Sequence, residues 1–279
     1  MPLLTRNRVA LLLALPAFLV PVIEIPLVLW ARSTFISLHP DYFDDPPTIS
    51  RSINDPVVGA PFANLILVIT ALILAIVPIL ILSYLLAISR LTLRPWQRIL
   101  MYGLLLLVLV LQLAASAGMV MTTQFTFAID RDMHMLGSYV FFIFQALSIL
   151  AAGTLCRLLL SQQRKHGIAD HDWPFRSAMH RFRFRFAMLI VGLVVLYGVL
   201  FVLKDHALPI SAYVVRVAYT QCEVLVIACY VLFLGSYAVD IHDMVRRDKL
   251  RLPVSAAATK ALTTAEGPAA ASGAAVTER

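Results

Sequence analysis

Hydrophobic positions run together along this chain in six nearly unbroken stretches: Val9–Trp30, Phe62–Ile88, Ile99–Met121, Met135–Leu160, Phe186–Leu203 and Ser211–Val239. A helix needs roughly 20 residues to cross about 30 Å of hydrocarbon, and each stretch is near or above that length. Buried helices of soluble proteins are rarely so long or so uniformly apolar. The pattern predicts an all-α polytopic membrane protein, with six transmembrane helices forming one bundle over residues 1–252. Composition agrees: 60% of residues are hydrophobic, 14% are charged, and the mean hydropathy is +0.84. The tail 253–279 is rich in Ala, Ser, Thr and Gly with few large apolar residues, and is expected to stay disordered and cytoplasmic.

Charge sets the expected topology. Arg and Lys gather at the N-terminus (Arg6, Arg8), in the second connection (Arg90, Arg94, Arg98), in the fourth (Arg157 to Arg185) and after the last span (Arg246, Arg247, Lys249, Arg251). The first connection, 31–61, carries Asp41, Asp44, Asp45 and Asp55 against Arg32 and Arg51. The positive-inside rule puts both termini in the cytoplasm and this acidic loop outside or in a lumen. Pro16, Pro21 and Pro26 interrupt the first stretch and no small-x-small site follows it, so it reads as a membrane helix rather than a cleaved signal. The net charge of +7 sits mostly on the cytoplasmic side, as topology requires, and does not point to nucleic acid. Proline and aspartate make residues 39–50 turn-rich, and this segment is expected to form a lid over the outer mouth of the bundle.

Ionisable groups in hydrocarbon cost about 2.5–3.5 kcal/mol even on insertion scales, so the few present here draw attention. Glu223 falls near the middle of the sixth stretch, and Arg216 two turns outward on the same face. Glu24, two turns inside the outer end of the first stretch, matches Arg216 in depth, and the two read either as an ion pair or as a headgroup-binding set. His134, Ser138 and Gln145 share one face of the fourth stretch. Gln145 reaches the expected depth of Glu223, and Gln112 of the third stretch is comparable. These positions predict a polar seam between spans one, three, four and six. For Gln112 and Gln145 the plainer reading is helix–helix glue; for Glu223 it is function. His134 divides between an interfacial hydrogen bond and a functional role.

Cys156, Cys222 and Cys229 all fall inside spans, which argues against a disulfide framework and for inert buried thiols, with palmitoylation of Cys156 a lesser reading. All seven histidines lie in loops or at span ends, which disfavours haem. His39, Asp44, Asp45 and His134 lack diagnostic metal-ligand spacing. No cofactor or metal is expected. The run His180-Arg181-Phe182-Arg183-Phe184-Arg185-Phe186 suits anionic headgroups at Arg181, Arg183 and Arg185, or simply flanks a span with snorkelling arginines.

Several of these residues carry a resemblance. Pro47-Thr48-Ile49-Ser50 after the first span is similar to the P-x-I-S signature of the FRAG/DRAM/SFK family of six-span membrane proteins. Pro61-Phe62-Ala63-Asn64 opens the second span at the family's spacing. Gln124-Phe125, His134 followed by Gly137, Cys222-Glu223 and Asp240 also resemble its pattern, in order, across most of residues 9–245. Thr48 and the segment Arg51-Ser52-Ile53-Asn54 depart from it. The family includes autophagy modulators of lysosomal membranes, a Golgi protein of GPI-anchor lipid remodelling, and yeast plasma-membrane proteins linked to phosphoinositide signalling. The resemblance implies the six-span fold, an association with membrane lipid, and Pro47, Ile49, Ser50, His134 and Glu223 as candidate positions. It carries no shared reaction.

Three functions follow as expectations. The first is a lipid-handling or regulatory protein without a catalytic step, in which His134 and Arg216 contact phosphate and Glu223 orders the seam. The second is a lipid-remodelling acyl hydrolase or transferase with His134 as base and Ser50 or Ser138 as nucleophile. The third is a small transporter or channel using Glu24 and Glu223. A bacterial inner membrane and a eukaryotic endomembrane or plasma membrane fit equally.

Overall fold

A computed structural model describes residues 3–42, 45–204, 206 and 211–247, with side chains from residue 7 onward. The expected disordered tail and Asp44 lie outside the described residues. The helices are α1 (Leu3–Leu38), α2 (Ile49–Ser52), α3 (Pro56–Ser89), α4 (Pro95–Gln124), α5 (Arg131–Lys165), α6 (Ser177–Leu203), α7 (Ala212–Gly235) and α8 (Tyr237–Arg246), with a single 3-10 turn at Pro40–Tyr42. Six candidate spans are long and apolar enough to cross a membrane, α7 and α8 together forming the sixth. No strand occurs among the described residues. In lipid every backbone polar group needs an internal partner, and a helix supplies one.

Each span packs against its neighbour in the chain, and α1 closes the circle by packing on α3, α7 and α8. The result is a ring of six helices. Its two ends are called here the loop end, holding residues 39–55 and 125–130, and the terminal end, holding residue 3, residues 166–176 and α8. The even number of spans puts the start of α1 and the end of α8 on the same side.

Small residues set the tightest contacts. A Cβ on Gly118 would fall 2.6 Å from the Phe141 backbone nitrogen, and one on Gly137 would fall 2.7 Å from that of Thr122. α4 and α5 therefore touch backbone to backbone near the loop end. Gly235 meets Pro21 in the same way, 2.8 Å from a Cβ to the proline Cγ.

Among the boundaries that differ from expectation, two bear on the buried charges. α1 runs unbroken through its three prolines and continues to Leu38, eight residues past Trp30. Arg32 stays helical there because its guanidinium has a partner inside the bundle, while Ala31 and Phe35 remain buried. The sixth span is interrupted at Ser236 and continues as α8.

Candidate functional site

The loop end is cross-linked rather than draped. Thr48 caps α2 by accepting from the Arg51 N–H at 3.1 Å. Asp55 caps α3 by accepting from the Val57 N–H at 2.8 Å, and its other oxygen meets His39 Nε2 at 2.8 Å. The His39 contact is the largest influence holding the Asp55 carboxyl below its ordinary range, followed by its backbone hydrogen bonds. Asn54 Oδ1 accepts from the Ala128 N–H at 2.7 Å, tying this segment to the α4–α5 connection. Arg216 donates to Asp45 at 2.7 Å. This segment is held against the bundle by α7 and by the α4–α5 connection.

Glu223 is its anchor. The Ile49 N–H donates to Glu223 Oε2 at 2.8 Å. Ile49 opens α2, where the first N–H groups have no partner within the helix, and the carboxylate supplies one that also complements the positive helix end. Glu223 is 2% exposed. Its nearby cation is Arg32, which lies within electrostatic reach and donates to Gln221 at 3.3 Å. Within this segment Pro47 and Ile49 are buried, and Ser50 is half-buried.

A Glu24–Arg216 ion pair does not form. Because α1 extends to Leu38, Glu24 lies fourteen residues from the helix end, about 21 Å by helix rise. It faces a narrow chamber in the middle of the ring, shared with Gln112, Ser116, Gln145 and Tyr230. Gln112 and Gln145 form a reciprocal amide pair at 3.0 and 3.1 Å. Glu24 Oε2 is buried and has no hydrogen-bond partner among the described residues. Gln145 therefore belongs to the level of Glu24, not to that of Glu223. The expected seam is two layers, a mid-membrane chamber and a loop-end latch.

His134 lies at the loop end with its ring hydrogen-bonded to backbone. Its ring is fully enclosed, and Nδ1 lies 2.9 Å from the carbonyls of both Thr122 and Phe125. Carbonyls only accept, so Nδ1 carries the proton and donates to both. The residue closes the last turn of α4 from α5, with the Phe127 ring 4.3 Å away. The other ring nitrogen of His134, Nε2, is buried with no hydrogen-bond partner among the described residues. Ser138 shares a 3.4 Å contact with Thr122, and among the described residues neither Ser138 nor Ser50 hydrogen-bonds to His134. His39 and His134 are thus each engaged elsewhere than in a shared cluster with Asp45.

Sequence reasoning missed the terminal end. Arg183 and Asp240 are both 0% exposed and meet at 2.6 Å. Arg183 Nε donates to the Ser236 hydroxyl at 2.9 Å and Nη2 to the Ser236 carbonyl at 2.8 Å, at the interruption between α7 and α8. The guanidinium lies over the Tyr237 ring, 3.8 Å from its centre. Asp240 Oδ1 accepts from the Arg176 N–H at 3.1 Å. Tyr84 joins Tyr237 at 2.8 Å and Cys156 at 3.2 Å, so Cys156 is a buried thiol. Arg183 therefore does not face headgroups, whereas Arg181 and Arg185 stay on the surface. The sequence did hold a signal: His180, Arg183, Ala187 and Ile190 share one helical face, and all four are buried.

No curated protein and no solved structure matches the chain closely enough to count as a relative. A family model does match, over residues 9–244, which takes in all six spans, the lid, Glu223 and Asp240. By that match the chain belongs to the family described as the Frag1/DRAM/Sfk1/Cwh43P N-terminal domain.

Proposed function

We propose that this integral membrane protein is lipid-associated and holds or organises headgroups at its loop end without a catalytic step of its own. The observation that carries this reading is the latch. A buried carboxylate, Glu223, grips the backbone of the lid at Ile49, which sets the lid's position over the ring. Beside it, Arg216 presents a guanidinium that is 51% exposed and whose partner, Asp45, is itself 31% exposed. Exposed ion pairs of this kind contribute little, about 0–1 kcal/mol, so a phosphate competes for Arg216 at small cost. The test is binding of anionic phospholipid to purified protein in phosphatidylcholine nanodiscs. Arg216→Ala should weaken binding about fivefold, and His134→Ala should act only through stability. Unchanged binding in well-folded Arg216→Ala sinks the reading.

A second reading, a small proton or cation transporter, rests on Glu24. Its buried Oε2 has no hydrogen-bond partner among the described residues and faces a chamber of about 10 Å³, near the room one water needs. An intramembrane carboxylate is costly to retain without a role. Flux into proteoliposomes that is abolished by Glu24→Gln favours this reading over the first, and absence of flux in the wild type removes it.

A further inference from the structure

At the terminal end, α5 and α6 pack tightly at one level and part below it. A Cβ on Gly153 would fall 2.6 Å from that of Ala187, so the two backbones nearly touch there. Toward the connection 166–176 they enclose a cleft of about 450 Å³, within the range of small-molecule sites. Arg157, Arg164 and Lys165 enter it from α5, and Arg181 and Arg185 from α6. These spacings put each set on one helical face. All five are exposed, and none forms a salt bridge with a carboxylate among the described residues. Arg157 rests over the Phe184 ring at 4.6 Å, which keeps its guanidinium at the cleft wall.

A second observation comes from His180. It lines the same cleft, is 0% exposed, and neither ring nitrogen has a hydrogen-bond partner among the described residues. Buried polar groups are ordinarily satisfied, and an imidazole offers at least one N–H. Asp170, whose charge acts on His180, accepts from Gln163 and Ser177. Five cations around an unsatisfied imidazole describe a receptor for a small, multiply charged anion. The cations lie where α5 and α6 approach the membrane surface, and Leu160 and Phe184 supply an apolar wall.

We infer that the α5–α6 cleft is a binding site for a phosphate-bearing anion, taken from the headgroup of an anionic phospholipid in the adjacent leaflet. The arginines of both helices hold its phosphate oxygens, the buried His180 ring turns toward the cleft to donate to one of them, and the apolar wall receives the start of its chains. Arg and phosphate make paired, directional hydrogen bonds. The site lies at the opposite end from the latch and stands independently of the loop-end reading.

The test uses the full chain in phosphatidylcholine nanodiscs, titrated with short-chain phosphatidic acid and, separately, with glycerol phosphate and inorganic phosphate. Arg181→Gln/Arg185→Gln should weaken phosphatidic acid binding at least about tenfold. Arg8→Gln/Arg98→Gln, which removes the same charge from exposed positions outside the cleft, should change it less than about twofold. His180→Phe, which keeps a ring and removes both nitrogens, should cost about fivefold. If the first pair fails to fold, Arg164→Gln/Lys165→Gln reads the same cleft from α5. Cleft-dependent binding of the lipid alone assigns the lipid source. Equal cleft-dependent binding of glycerol phosphate or inorganic phosphate supports the site with a soluble ligand. Equal losses in the cleft and control pairs, or no loss in either cleft pair, overturn the proposal. Failure here leaves the Arg216 experiment unaffected, since that variant lies at the other end.

Discussion

Two carboxylates on the last span do the same work at opposite ends of the ring, under different seals. Glu223 accepts the Ile49 N–H and has Arg32 nearby. Asp240 accepts the Arg176 N–H and touches Arg183. Each holds the backbone of a connecting segment where a helix begins, and each is matched by an arginine from another span. The difference lies in how the arginine is held. Arg183 is wholly enclosed, contacts its carboxylate directly, and is further fixed by Ser236 and Tyr237. Arg32 is 9% exposed and donates to Gln221 instead. The terminal end is thus a sealed joint, and the loop end is a latch whose release costs less.

Breaking the sealed joint should have the largest effect. Removing one partner of a buried ion pair typically costs about 3–5 kcal/mol because a charge is left uncompensated. Asp240→Ala or Arg183→Ala should therefore lower thermal stability in detergent sharply, and Arg183→Gln/Asp240→Asn should recover part of the loss. A double variant no better than the singles would mean that the Ser236 and Tyr237 contacts, not charge balance, hold the joint.

The latch should respond locally. Glu223→Ala leaves the Ile49 N–H unpaired in a buried place, at about 1–3 kcal/mol, and hydrogen exchange should quicken across 45–55 with α8 unchanged. Glu223→Gln keeps an acceptor and should fall between. Global destabilisation equal to that of Asp240→Ala would erase the distinction between the ends. A smaller change is expected from Arg32→Ala, which removes a hydrogen bond of about 0.5–1.5 kcal/mol, read in the same exchange experiment.

The smallest effect is a pH dependence at the loop end. His39 and the α3 backbone depress the Asp55 carboxyl, so its contribution is complete above the ordinary aspartate value of about 3.9 and is lost as pH falls through the lower folded value. Exchange at Val57 should therefore accelerate in acid more in the wild type than in Asp55→Asn, which has already lost the charge. Identical acid profiles would show that the bond to His39 contributes nothing to holding the lid.

The spans were legible because lipid demands length and apolarity, and both are visible residue by residue. Residues 39–50 were legible as a turn-rich segment, and Glu223 as a charge that hydrocarbon tolerates only with a partner. Which partner it has was not. Glu24 and Arg216 matched in depth only while α1 was taken to stop at Trp30, where the apolar run stops. Arg32 extends the helix because a residue on another span receives it, and no local pattern encodes that. Arg183 sat in an alternating Arg-Phe run that masks its register; only its spacing to Ala187 and Ile190 hinted at burial. His134 drew attention in the sequence, yet that its ring reaches two carbonyls across a short connection was not visible there.

The sequence alone determined that this protein is a six-span helical membrane protein, because the cost of exposing backbone and charge to lipid leaves one arrangement for such long apolar runs. Tertiary structure decided which buried charges meet, which histidine reaches backbone carbonyls and which reaches no partner among the described residues, and which basic residues face a cleft rather than a core. Those outcomes depend on distances between helices far apart in the chain, and such distances follow from the packing of the whole ring.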